Sequence, residues 1–181
     1  MLDTDNMEIT PEMEEHFRDY LHTHVTRVVS FAKALFDCGK IPEDLYEYIR
    51  DNHDKSKTEE PEYTPYVKRK WFERNTNKDF YEDMGDDVKA AIYHHVTTNS
   101  HHPEYWSDDY RGFATKEPCH VDNMPESCIV ELVCDWEAMA LEKGNTAREW
   151  FNKVRGTRWI FDERTEALID KWISEFERKR D

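Results

Sequence analysis

Asp135 sits in surroundings that call for chemistry. Ile129, Val130, Leu132, Val133, Trp136, Met139 and Ala140 make the helical pattern around it apolar over most of its circumference. An ionised carboxylate taken out of water without a partner costs several kcal/mol, so this position calls for a cation, a hydrogen-bond network or a metal ion. Glu131, one turn earlier, either shares that role or pairs with a surface lysine. His24 follows Leu21 by three residues and precedes Val28 by four, so a helix aims its imidazole along the margin of a buried stripe. His53 and Asp54 add an adjacent imidazole and carboxylate where a predicted helix ends and both side chains can reach one ion. Each residue alone has an ordinary alternative, a hydrogen-bonded core histidine or a polar surface pair. Together, two neutral nitrogens and two carboxylate oxygens form a mixed donor set that suits manganese, iron, zinc, cobalt or magnesium, with water completing the shell.

A second group of candidates follows in the middle third. His94 and His101, or His95 and His102, fall about two turns apart on one face if a helix continues through them. One such pair facing inward would supply a second ion; the alternative is that two or three of the four are exposed or cap the helix end. Lys57 stands four residues after His53, one turn away on a continued helix, and puts an ammonium beside the ion as a ligand for a substrate anion. Glu62 is the nearby acid, weighed against a solvated loop. The basic run Lys68, Arg69, Lys70 and Arg74 offers further positive charge, with Arg69 and Lys70 as substrate-binding candidates. Tyr63, Tyr66, Trp71, Tyr105 and Trp106 offer faces on which a base can stack, although aromatic residues more often build a core.

These residues need helices to position them. Thr10-Pro11-Glu12 is a cap followed by a proline suited to a first turn, and the helix it opens runs to about residue 37 before Cys38-Gly39. A second helix starts after Pro42 and reaches His53. Residues 58–78 are polar and hold Pro61 and Pro65, which predicts a loop or lid with a short helix. Further helices are predicted over 86–97 and from Met124-Pro125-Glu126 to about 143, with Gly144 as the stop. Two outer amphipathic helices cover 146–154 and 162–180. With only five glycines and little β-branched alternation, the reading is all-α: a single-domain helical bundle with its core in 10–145 and the C-terminal helices packed on it.

Composition narrows the function. A length of 181 residues suffices for one domain with a real core, and nine Phe, nine Tyr and six Trp supply its bulk. The formal net charge of −15 argues against duplex nucleic acid or an anionic membrane as partner, since both need a cationic face. Cysteines 38, 119, 128 and 134 lack zinc-ribbon spacing, and the acidic start resembles no secretory signal, so free thiols and a cytoplasmic setting are expected. No apolar run approaches the roughly 20 residues of a membrane span.

The order His24, His53-Asp54, middle histidines and Asp135 resembles the HD superfamily of metal-dependent phosphohydrolases, over roughly residues 24–139. In more detail the chain resembles a small uncharacterised HD-like family frequent in phage genomes. That likeness rests on His53-Asp54-Lys55-Ser56-Lys57, Glu62-Tyr63, His94-His95 with Asn99, His101-His102-Pro103-Glu104-Tyr105-Trp106, Met124-Pro125 with Glu131, and Cys134-Asp135. The resemblance implies an HD-type fold, one divalent ion or two, hydrolysis of a small phosphorylated substrate, with a nucleotide preferred, and Glu62 as the acidic catalytic helper. In a phage-encoded protein the setting would be the host cytoplasm. Two other readings stay open: an HD-type di-iron oxygenase, and a non-catalytic metal-binding interaction protein.

Overall fold

Thr10 starts the first helix as the sequence predicts: its hydroxyl accepts from the Met13 amide and Pro11 fills the first turn. In the computed structural model, which describes residues 7–76, 85–113 and 115–178, this helix is α1 (Pro11–Asp37). At 1.5 Å per residue it is about 40 Å long. It buries Met13, Phe17, Leu21, His24, Val28, Ala32 and Leu35, one side chain from each successive turn. Gly39, at a φ of +65°, returns its amide to the Phe36 carbonyl and closes the end.

Six more α-helices follow among the described residues: α2 (Glu43–Asn52), α3 (Tyr63–Thr76), α4 (Asp86–Thr98), α5 (Glu126–Lys143), α6 (Ala147–Val154) and α7 (Glu163–Glu177). The architecture is all-α. α5 ends at Gly144, as read from the sequence, and α6 opens with a reciprocal capping box between Thr146 and Glu149. Asp162 caps α7 through the Thr165 amide and also accepts from the Asn123 amide. The expected outer helix over 162–180 stops at Glu177; residues 179 and 180 lie outside the described residues.

One expectation needs correcting. The short helix expected within a loop or lid over 58–78 is the fourteen-residue α3 and takes up most of that stretch; residues 77 and 78 lie outside the described set. Pro65 did not prevent this, because it falls within the first turn, where an amide needs no helical partner. Within this all-α architecture a small ladder is not foreseen in the sequence: β1 (Cys119–Val121) and β2 (Trp159–Phe161) pair in parallel, Cys119 opposite Trp159 and Val121 opposite Phe161. Three alternating residues are too few to show a period of two.

α1 packs against α5, α3 and α2, and α5 in turn carries α6 and α7. The apolar interior falls into two clusters. One joins Met13, Phe17 and Leu21 of α1 to Tyr66 and Val67 of α3 and to Val88, Ala91, Ile92 and Val96 of α4. The other joins Val28, Ala32 and Leu35 to Ile49, to the apolar face of α5, to the ladder and to α6 and α7. His24 lies on α1 between the two. No described helix is long and apolar enough to cross a membrane.

Candidate metal centre

α2 stops at Asn52, and the next two residues leave helical geometry. His53 turns extended, and Asp54 adopts the left-handed conformation (φ 57°, ψ 15°), which Asp tolerates better than most residues. A short 3-10 turn, Lys55–Thr58, then brings Lys57 back so that its ammonium donates to Asp54 Oδ2 at 2.6 Å. Lys57 therefore reaches the centre through a chain reversal, not on the continued helix the spacing suggested. The middle histidines need the same correction. α4 ends at Thr98, and His101 and His102 come from the turn before a second short 3-10 segment, Pro103–Trp106, where Trp106 Nε1 donates to the Ser100 carbonyl.

His24, His53 and Asp54 bring one ligand atom each within 4.8 Å of one another, and Asp135 joins them through His24. His24 Nε2 lies 3.4 Å from His53 Nε2, 3.3 Å from Asp54 Oδ2 and 3.2 Å from Asp135 Oδ1. His53 Nε2 lies 3.8 Å from the same Asp54 oxygen. Ligands about 2.1 Å from an ion are separated by about 3.0 Å across a right angle and about 3.4 Å across a tetrahedral one. The three separations from His24 match such edges, and the His53–Asp54 separation of 3.8 Å is wider. Asp54 turns its other oxygen toward a second group: His95 Nε2 is 3.2 Å and His101 Nε2 3.9 Å from Asp54 Oδ1. One ligand atom each from Asp54, His95, His101 and His102 lie within 4.8 Å of one another.

The unpartnered atoms fit the same picture. Asp54 Oδ1 and the Nε2 atoms of His95, His101 and His102 are shielded from solvent and make no hydrogen bond. Buried polar atoms left this way are costly, and four of them lying this close together could hold a cation. His94 does not join them: it is partly exposed, and its Nδ1 donates to Glu62 Oε1 at 2.8 Å. A family model described as a family of unknown function, DUF5662, matches residues 13–175. The chain belongs to that family. The match runs from the first turn of α1 nearly to the end of α7, so every DUF5662 residue of the centre falls within it. No curated protein and no solved structure matches the chain.

Outer carboxylates hold the rings. Glu131 Oε1 accepts from His53 Nδ1 at 2.9 Å and lies 3.2 Å from His101 Nδ1. Glu62, read from sequence as either an acidic helper or a solvated loop residue, is fully buried: Oε2 accepts from His95 Nδ1 and from the Ser56 hydroxyl, and Oε1 from His94. Asn99 donates to Ser56 Oγ at 3.0 Å and completes that chain. Of the alternatives for Glu131, the structure contains the inward one. Ser56 and Asn99 carried no signal in sequence beyond lying in the motif blocks.

Charge is concentrated here. Burial opposes ionisation of Asp135, but the His24 bond together with the charges of His24, His53 and His101 outweighs it and holds the carboxyl at about 2. Burial likewise opposes charge on Glu131, and the bonds from His101 and His53 bring it to about 2. His24 shows the counterpart: burial alone would lower it, yet Asp135 and Asp54 raise it to about 9. Lys57 and His53 hold Asp54 well below the usual carboxylate range against its burial. His102 stays neutral through burial and the neighbouring His101 and His95, the state a ligand nitrogen needs.

Arg69 and Lys70 stand at the edge of the centre, each paired with Glu73 at 2.8 and 2.7 Å. Lys70 Nζ lies 3.8 Å over the Tyr20 ring, which is parallel to His24, while Lys57 and Arg69 approach the Tyr66 ring. Of the proposed stacking faces, Tyr63 and Trp71 pack on Phe17 and His16 of α1, and Tyr66 is interior, edge-on to His95. Tyr105 is exposed.

Proposed function

We propose that this protein is a metal-dependent phosphohydrolase acting on a small phosphorylated substrate, a nucleotide in the first instance. The observation that carries the reading is Asp54 presenting its two oxygens to two separate groups of imidazoles. His24, His53, Asp54 and Asp135 would hold one divalent ion, and Asp54, His95, His101 and His102 a second. Bound there, such ions supply Lewis acidity and a coordinated water that ionises near neutral pH.

The chain's own groups have distinct tasks. Lys57 is the ammonium nearest the centre, and it binds a phosphoryl oxygen and offsets charge developing on it. Glu62 and Glu131 hold imidazoles in place. Arg69 and Lys70 can serve the outer phosphates only by exchanging Glu73 for them. The buried carboxylates of Asp54, Glu62 and Glu131 and the part-buried Asp135 outnumber the cations facing them, Lys57 and a protonated His24, and two divalent ions would reverse that balance in favour of an anion. The resemblance to HD phosphohydrolases adds support, and the cytoplasm is the setting that suits such a substrate.

The test is elemental analysis of purified protein followed by a phosphate-release screen over nucleotides with manganese, magnesium, cobalt, zinc and iron. Phosphate release that depends on added metal and is lost in Asp54→Asn is expected. Two irons with oxygen uptake and no phosphate release would replace this reading with the oxygenase one.

A further inference from the structure

We infer that Glu131 is a positioning residue shared by both metal groups, fixing through one oxygen the ring orientation of a ligand in each. The inference rests on the metal reading of the centre, not on the hydrolytic one. A neutral imidazole carries one N–H, and the nitrogen that donates leaves the other as the ligand lone pair. His53 and His101 lie with ring centroids 4.6 Å apart, and both turn Nδ1 to the same atom, Glu131 Oε1. The opposite edges diverge. His53 Nε2 faces His24 and Asp54 Oδ2, whereas His101 Nε2 faces Asp54 Oδ1. Glu131 is itself buried on α5, one turn before Asp135, so the helix that delivers a ligand to the first group also delivers the anchor of both.

Glu62 provides the internal contrast. Among the described ligand histidines it bonds only His95, which belongs to the second group. Loss of an outer-shell partner typically weakens metal binding 10–100-fold, roughly. Glu131→Gln therefore weakens both equivalents by about that factor, and Glu62→Gln weakens one.

Calorimetric titration of zinc into chelator-stripped full-length protein reads this directly. Two equivalents in the wild type, both weakened in Glu131→Gln and one weakened in Glu62→Gln, is the expected result. Two wild-type equivalents with either one untouched by Glu131→Gln would overturn the shared role and leave the metal reading standing. A wild type that takes up fewer than two ions overturns the inference, and one that takes up none removes the metal reading with it. Should Glu131→Gln fail to fold, nitrogen-15 histidine spectra of the zinc-loaded wild type decide: Nδ1–H signals must persist for both His53 and His101, and zinc on either Nδ1 refutes the assignment.

Discussion

Asparagine at position 54 separates the charge of the centre from its backbone. Asp54 occupies the left-handed region, where asparagine is as well tolerated as aspartate, so Asp54→Asn keeps the turn while removing the negative charge. What it leaves behind is the Lys57 ammonium, bonded at 2.6 Å to an oxygen that is 1% exposed, with its own side chain 15% exposed. Removing one partner of a buried pair costs about 3–5 kcal/mol, and the partial exposure of Lys57 places this case near about 3. For a chain of this size each kcal/mol moves the melting temperature by about 2–4 °C, giving a loss of roughly 6–12 °C. Scanning calorimetry on chelator-treated protein measures it. Lys57→Met in the Asp54→Asn background should recover most of the loss, since the uncompensated charge is then gone. Asp54→Ala should fall further by roughly 1 kcal/mol, from the left-handed backbone alone. An Asp54→Asn protein that melts with the wild type and keeps its full metal complement would refute the reasoning.

Other outcomes follow from the same contacts. Phe17→Ala removes a fully buried ring packed against Tyr63 and Tyr66 and should cost about 3–5 kcal/mol in urea denaturation. Arg158→Ala strips the guanidinium that donates to Glu104 Oε1 at 2.8 Å; Glu104 is buried, so a loss of about 1–3 kcal/mol is expected by the same measurement. Metal-free stability should also follow pH. Glu131 and Asp135 are held at about 2, below their ordinary values of 4.5 and 3.8, so the stability they confer is present above those values and lost as pH falls towards 2. His24 is raised from 6.5 to about 9, so its contribution is complete below 6.5 and lost as pH rises through 9; because it reports the same contact as Asp135, the two count once. Melting temperatures of chelated protein that climb between pH 7 and 9 would contradict this.

Where local rules govern, the sequence was legible. Thr10-Pro11 and Gly39 bound α1, Gly144 stops α5, and the apolar setting of Asp135 pointed inward before any coordinates. α3 is longer than the short helix that the polar stretch with Pro61 and Pro65 predicts; Lys68 and Lys70 face inward and blur its apolar stripe, their ammoniums paired with Asp87 and Glu73. Tertiary contacts of that kind leave no periodic trace. Glu62 is similar, since nothing in a polar stretch announces that one carboxylate will be enclosed by His94, His95 and Ser56. The spacing of the four middle histidines suggested a continuous helix, whereas a turn brings His101 and His102 in and leaves His94 bonded outside the cluster.

The division of the interior into two apolar clusters has a dynamic consequence. Apart from Tyr110, which touches both, the clusters share α1, and the histidine and carboxylate groups fill the space where oil would otherwise be continuous. Separating the halves along that plane breaks polar contacts but exposes little hydrocarbon, so such excursions are cheaper than melting either half. α1 runs unbroken through both clusters. Amide exchange should accordingly be slowest in the middle of α1 and α5 and faster in α3 and α4, and a bound ion bridging the plane should slow the latter pair most.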